Sequence, residues 1–148
     1  MELYTDEYFM REALKEAAKA LDLDEVPVGA VVVSGKRIIA RAHNQVEMLK
    51  DATAHAEMLA LTAAAHHIGS KYLNDCTLYV SLEPCSMCGG AMFWSQIGRI
   101  VFGADDLQRG YHLLKGQVIH PKTEVVKGVL AAESLALLEQ FFQRLRKG

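Results

Sequence analysis

The sequence has no apolar run long enough to span a membrane. Its first ten residues, MELYTDEYFM, lack a basic start with an apolar stretch behind it, so no secretory leader is expected. These two absences point to the cytoplasm. Cysteine is scarce: three residues, an odd number, argue against a disulfide framework. Charge of one sign is missing too. Sixteen Lys and Arg against eighteen Asp and Glu leave a formal net charge of −2, so the molecule as a whole does not attract nucleic acid. Any such binding must use a local patch. No internal repeat, low-complexity tract or linker interrupts the chain, and one domain is expected over 1–148.

What is present is an ordinary globular composition, 51% hydrophobic and 23% charged over 148 residues, enough for a real core. Apolar spacing predicts a helix over 5–23, with Tyr4, Tyr8, Leu14, Ala18 and Leu21 near its inner face. Two strand-like runs, 28–33 and 37–42, flank Ser34-Gly35-Lys36 and read as a hairpin. A helix follows from about His55 to His67, with Gly69 as its stop. Strand 77–82, a helix over 86–97 ended by Gly98, and strand 99–102 come next. The stretch 104–122 reads as loop with at most one short helical turn. A strand over 123–127 and a closing helix over 131–146 complete the chain, the helix carrying Leu135, Leu138, Phe142 and Leu145 on one side. Strand–helix–strand alternation implies parallel pairing in the middle of the sheet, and the hairpin adds an antiparallel pair. The expected fold is α/β, a three-layer α/β/α arrangement around a five-stranded mixed sheet.

The chemistry is concentrated at two helix starts. In DATAHAEMLAL, residues 51–61, His55 and Glu57 stand at the head of an apolar helix, where burial without partners would be costly. In LEPCSMCGG, residues 82–90, Cys85 follows a strand and Cys88 lies one turn into the next helix, so the two thiols share a side. A helix N-terminus favours thiolates. In a wound sheet the helix N-termini gather at the carboxyl edge of the strands. One imidazole and two thiolates converging there suit a tetrahedral zinc with one position left open, the mark of a catalytic site. Glu57 then has a role as proton carrier for the activated water. Taken alone, the C-x-x-C pair reads equally as a structural zinc site or a redox pair. Cys76 reads as a small core residue. Met87, Met92, Phe93 and Trp94 read as core packing, and His66 and His67 as a cationic helix end. His112 and His120 have no assignment.

His55-Ala56-Glu57 together with Pro84-Cys85-Ser86-Met87-Cys88 resembles the H-x-E…P-C-x-x-C signature of the zinc-dependent cytidine and nucleotide deaminase superfamily. The flanking stretches YFMREAL, EVPVGAVVV, TAHAEM, TLYVSLEPCSMC, IGRIVFGADD and FFQRLRK resemble its bacterial tRNA-adenosine branch. That resemblance implies one zinc per chain held by His55, Cys85 and Cys88, with Glu57 as the catalytic proton shuttle. The best basic patch, Arg144, Arg146 and Lys147 beside Phe141 on the closing helix, reads equally as an RNA contact or as a solvated cationic helix end, and the backbone N–H near Ala56 is a candidate to orient water and intermediate. The resemblance implies a substrate contact from Asn44 and places Asp106 in a loop that borders the RNA-binding cleft. It also implies a homodimer that converts the first anticodon adenosine of an arginine tRNA to inosine. Segment 107–123 departs from the small-residue loop expected of that branch. A deaminase of free guanine, cytosine or a nucleoside would share every catalytic residue. A C-x-x-C redox or structural zinc protein is the reading from another class.

Overall fold

The computed structural model describes residues 3–147. The ends of the expected 1–148 domain, Met1, Glu2 and Gly148, lie outside the described residues.

Helix α1 (Asp6–Asp22) starts where Thr5 Oγ1 accepts the Tyr8 N–H at 3.1 Å, with Asp6 and Glu7 set against the positive helix end. Its buried face is Phe9, Met10, Ala13, Ala17, Ala20 and Leu21. The expected face is therefore rotated. Leu21 is on it, but Tyr4 is half exposed, and Tyr8, Leu14 and Ala18 lie on its shoulder. The alanines win the inner positions because a row of methyl groups lets the helix axis come close to the sheet.

Strands β1 (Gly29–Ser34) and β2 (Arg37–His43) pair antiparallel across the expected turn. Strand β3 (Cys76–Leu82) runs antiparallel to β1 and parallel to β4 (Arg99–Ala104), and β5 (Glu124–Val126) adds a parallel edge. The order is β2-β1-β3-β4-β5, a five-stranded mixed sheet as expected. Alternation along β1 and β3 divides the core in two. Val32, Leu78 and Val80 face one way, onto α3 (Ala56–Ile68) and α4 (Ser86–Ser95), through Ala60, Ala64 and Met92. Val31, Val33 and Tyr79 face the other way, onto Phe9, Met10 and Ala13 of α1. Helix α5 (Ala131–Lys147) packs beside α1 against β4 and β3. The three layers follow.

Local endings differ from expectation in places. Gly69 stops α3 in the left-handed region at φ 78°. Helix α4 stops earlier than Gly98, because Gln96 takes the left-handed cap at φ 53° and the Gly98 N–H is spent on Leu73 O. One turn of helix, α2 (Val46–Leu49), was not foreseen, and its N-terminal N–H groups are held by the distant Glu25 carboxylate. On α5 the buried residues are Ser134, Leu138 and Phe141, while Leu135, Phe142 and Leu145 are exposed. Trp94, expected in the core, is 78% exposed, whereas Met92 and Cys76 are buried as expected.

Candidate metal centre and its cleft

His55 and Cys85 are the N-cap residues of α3 and α4, both with extended backbone. An N-cap side chain ordinarily bonds back to its own helix. Neither does so here, and both turn toward each other across the gap between the two helix starts. Cys88, fully buried in the first turn of α4, completes the group. His55 Nδ1 lies 3.7 Å from Cys85 Sγ and 3.6 Å from Cys88 Sγ, and all three donor atoms fall within 4.8 Å of one another.

These distances test the zinc expectation. With metal–sulfur bonds of about 2.3 Å and a metal–nitrogen bond of about 2.05 Å, a tetrahedral centre places its sulfur and nitrogen donors about 3.6 Å apart. The observed pairs match, and the soft donor set is one that selects zinc. The two thiols are electrostatically unequal. Hydrogen bonding from Cys88, and then from His55, holds the Cys85 thiol down to about 3, so it is a thiolate. The Cys85 thiolate, with burial, pushes the Cys88 thiol up. The hydrogen bond to Cys85 raises His55 against the opposing effect of burial.

Glu57 is one residue into α3 and only 4% exposed. Burial pushes its carboxyl up to about 7, against the pull of its own backbone N–H and of His55. A carboxyl near neutrality beside a metal site is suited to taking up and returning a proton. Asn44, at the end of β2, is buried, and its Oδ1 accepts the Ala56 N–H at 2.7 Å. That bond ties the β2 terminus to the start of the helix carrying Glu57. It also removes the Ala56 N–H from the role expected of it, because the donor is already committed to Asn44 and is not free for substrate.

The pattern that describes the cytidine and deoxycytidylate deaminase zinc-binding region matches residues 3–104. The chain belongs to this family of zinc-binding deaminases. The deaminase is 46% identical over 147 residues to the tRNA-specific adenosine deaminase of Bacillus subtilis (strain 168), covering 96% of this chain and 91% of that one. Among solved structures it is similar to one from a study of A-to-I editing by tRNA:A34 deaminases at the wobble position of transfer RNA. The TM-score is 0.83 and the identity 38%, with 88% of this chain and 99% of that chain covered. It is also similar to the guanine deaminase from Nitrosomonas europaea, at TM-score 0.81 and 26% identity, covering 95% of this chain and 86% of that one.

A cleft of about 550 Å³ leads from the metal site of the deaminase to α5. His55, Glu57, Cys85, Asn44 and Asp106 line it, so the expected metal, catalytic and substrate residues meet in one place, with Cys88 buried behind. Phe141 also lines it, buried, beside the half-exposed Phe142 and Leu145. Arg144 does not project freely as an RNA contact. Its Nη1 donates to Leu21 O at 3.1 Å and lies 3.8 Å from Asp24 Oδ1, so it docks α5 onto the last turn of α1. Arg146 and Lys147 remain exposed.

Three further residues belong to the cleft without a motif that marks them. Glu25 and Glu83 are buried carboxylates lining the cleft, and Arg109 sits exposed at its rim. A signal was available for Glu83, an acid placed directly before Pro84-Cys85 at the end of an apolar strand. The unassigned His112 is its partner, with Nδ1 2.6 Å from Glu83 Oε1. His120 is a surface residue whose Nδ1 accepts the Lys122 N–H, its ring near Phe93.

Proposed function

We propose that the chain hydrolytically deaminates adenosine to inosine at the first anticodon position of a tRNA, an arginine tRNA in particular. The observation that carries the reading is the placement of Glu57, buried beside the His55, Cys85 and Cys88 donors and lining a cleft of about 550 Å³. The near-full-length relationship to tRNA-specific adenosine deaminases supports the choice of substrate. Zinc held by His55, Cys85 and Cys88 would supply Lewis-acid activation of water. Glu57 takes a proton from the attacking water and passes it to the ring nitrogen beside C6; it then takes the hydroxyl proton of the intermediate at C6 and delivers it to the amine, so that the C6 carbonyl forms and ammonia leaves. Asn44, anchored through Ala56, presents its amide to the base or ribose, and the cleft excludes bulk water from the reacting carbon. Phe142 offers a face for a neighbouring unstacked base, with Arg146 and Lys147 beyond it for phosphates. The same reading takes the whole chain as one domain, working as a homodimer in the cytoplasm. No helix among the described residues is long and apolar enough to cross a membrane.

A second reading, deamination of a free base such as guanine, is favoured by one feature: Asp24, Glu25, Glu47, Glu83 and Asp106 all line the cleft, against a single Arg. An anticodon stem-loop with adenosine at its first anticodon position, assayed beside free guanine, cytosine and adenosine, separates the two. Inosine formed in the stem-loop alone supports the first reading. Ammonia from a free base alone overturns it.

A further inference from the structure

The cleft wall between β4 and the turn at Tyr111–Leu113 has almost no regular structure of its own, and one side chain holds it. Glu83, 2% exposed, accepts the Asp106 N–H at 3.0 Å on Oε1 and the His112 N–H at 2.9 Å on Oε2. It also receives His112 Nδ1 at 2.6 Å, and a carboxylate can only accept there, so Nδ1 carries the hydrogen. Between these two anchors Asp106 Oδ1 accepts the N–H groups of Gln108 and Arg109, both at 3.0 Å, an Asx turn that fixes the backbone of Arg109. Gly110 follows, and a Cβ on it would sit 2.4 Å from Glu83 Oε1, so only glycine lets the wall close on the carboxylate.

This arrangement matters because of what it leaves over. Glu25 and Glu83 are occupied by backbone N–H groups, Asp106 Oδ1 likewise, and Asp24 faces Arg144. Arg109 is the one Lys or Arg among the described cleft-lining residues, and none of the described ion pairs engages its guanidinium. A guanidinium outside those ion pairs, on a hydrogen-bonded rim of the cleft, is placed for an anion attached to a base bound there. We propose that the Glu83–His112 staple positions Arg109 to bind a phosphate flanking the flipped-out adenosine, making Arg109 a specificity-determining residue that favours an oligonucleotide over a free base. The inference rests on the wobble-adenosine reading of the same site.

The test uses the zinc-loaded full chain and the stem-loop. Arg109→Gln should keep its zinc, raise KM about tenfold at low salt, and flatten the dependence of log KM on log salt by about 0.7, the share of one single-strand phosphate contact. Arg109→Lys should recover most of the slope. A methylphosphonate on one side of the target should cost the parent a similar factor and cost Arg109→Gln nothing. His112→Ala should raise KM about threefold, yet add nothing in the Arg109→Gln background, because it acts only through that side chain. A parental KM and slope for Arg109→Gln would overturn the proposal, as would a His112→Ala effect fully additive with it. If the parent deaminates free guanine and not the stem-loop, the substrate reading falls and this inference with it. If the parent is active on the stem-loop and Arg109→Gln is indifferent, this inference falls alone.

Discussion

At the scale of single residues, the division of labour between Glu57 and the metal donors is the sharpest consequence of the geometry. Glu57 is beside the donor set without belonging to it, so Glu57→Ala should retain one zinc per chain while deamination falls by about 10²–10⁴ or more. Metal content by mass spectrometry under native conditions, with an ammonia assay, checks both halves. Cys88→Ala should behave in the opposite manner, losing zinc and thermal stability together, because metal binding is also folding free energy. Retention of full zinc occupancy would remove Cys88 from the donor set. The grouping of the three donors with Glu57 was legible in the sequence because metal donors at helix starts are few and oddly placed in apolar surroundings. Arg109 was not legible, since an exposed arginine in a loop has no pattern, and neither was Glu25, whose partners are backbone N–H groups twenty-two and more residues away.

At the scale of elements, α1 is fastened to the sheet by a polar clamp as well as by its alanine row. Arg99 makes a two-pronged bond to Asp6, both at 2.7 Å, and the Tyr79 hydroxyl donates to Asp6 Oδ1 at 2.8 Å. The Arg99 hydrogen bond holds the Asp6 carboxyl below its usual range, against burial. A carboxyl depressed in the folded state stabilises the fold above its unfolded value of about 3.9 and loses that contribution as pH falls through its lower folded value. Asp6→Asn should therefore cost about 1–3 kcal/mol near neutral pH, with the gap from the parent closing below about pH 4. Urea melts at several pH values check the sign, and a gap that widens in acid would contradict it. On α5, Arg144→Gln should lower the melting temperature without changing the salt dependence of RNA binding, whereas Arg146→Gln with Lys147→Gln should do the reverse. Element existence was readable from periodicity, but which face turns inward was not. On α1 small residues beat large ones at the closest approach, and on α5 Leu138 and Phe141 are buried while Leu135, Phe142 and Leu145 stay exposed.

At the scale of the whole molecule, the mixed sheet explains why the site lies where it does. Parallel pairing of β3 with β4 requires α4 as a crossover, and that crossover brings the start of α4 to the carboxyl end of β3. Antiparallel pairing of β1 with β3 brings the chain leaving β2, through Asn44, to the same edge, where α3 begins. Two helix starts far apart in sequence thus meet over one cleft. The order of elements and the parallel centre could be read from the chain, as could the convergence of His55, Glu57, Cys85 and Cys88. The cleft walls could not, because segment 105–112 is shaped by hydrogen bonds to one buried glutamate and not by propensity. The most direct test of the whole account is single-turnover deamination of an anticodon stem-loop carrying adenosine at its first anticodon position, by the zinc-loaded chain and by its Glu57→Ala variant. The parent should give stoichiometric inosine and ammonia, and the variant neither on the parental timescale. An unchanged adenosine with the parent, or inosine formed at the parental rate by the variant, would contradict it.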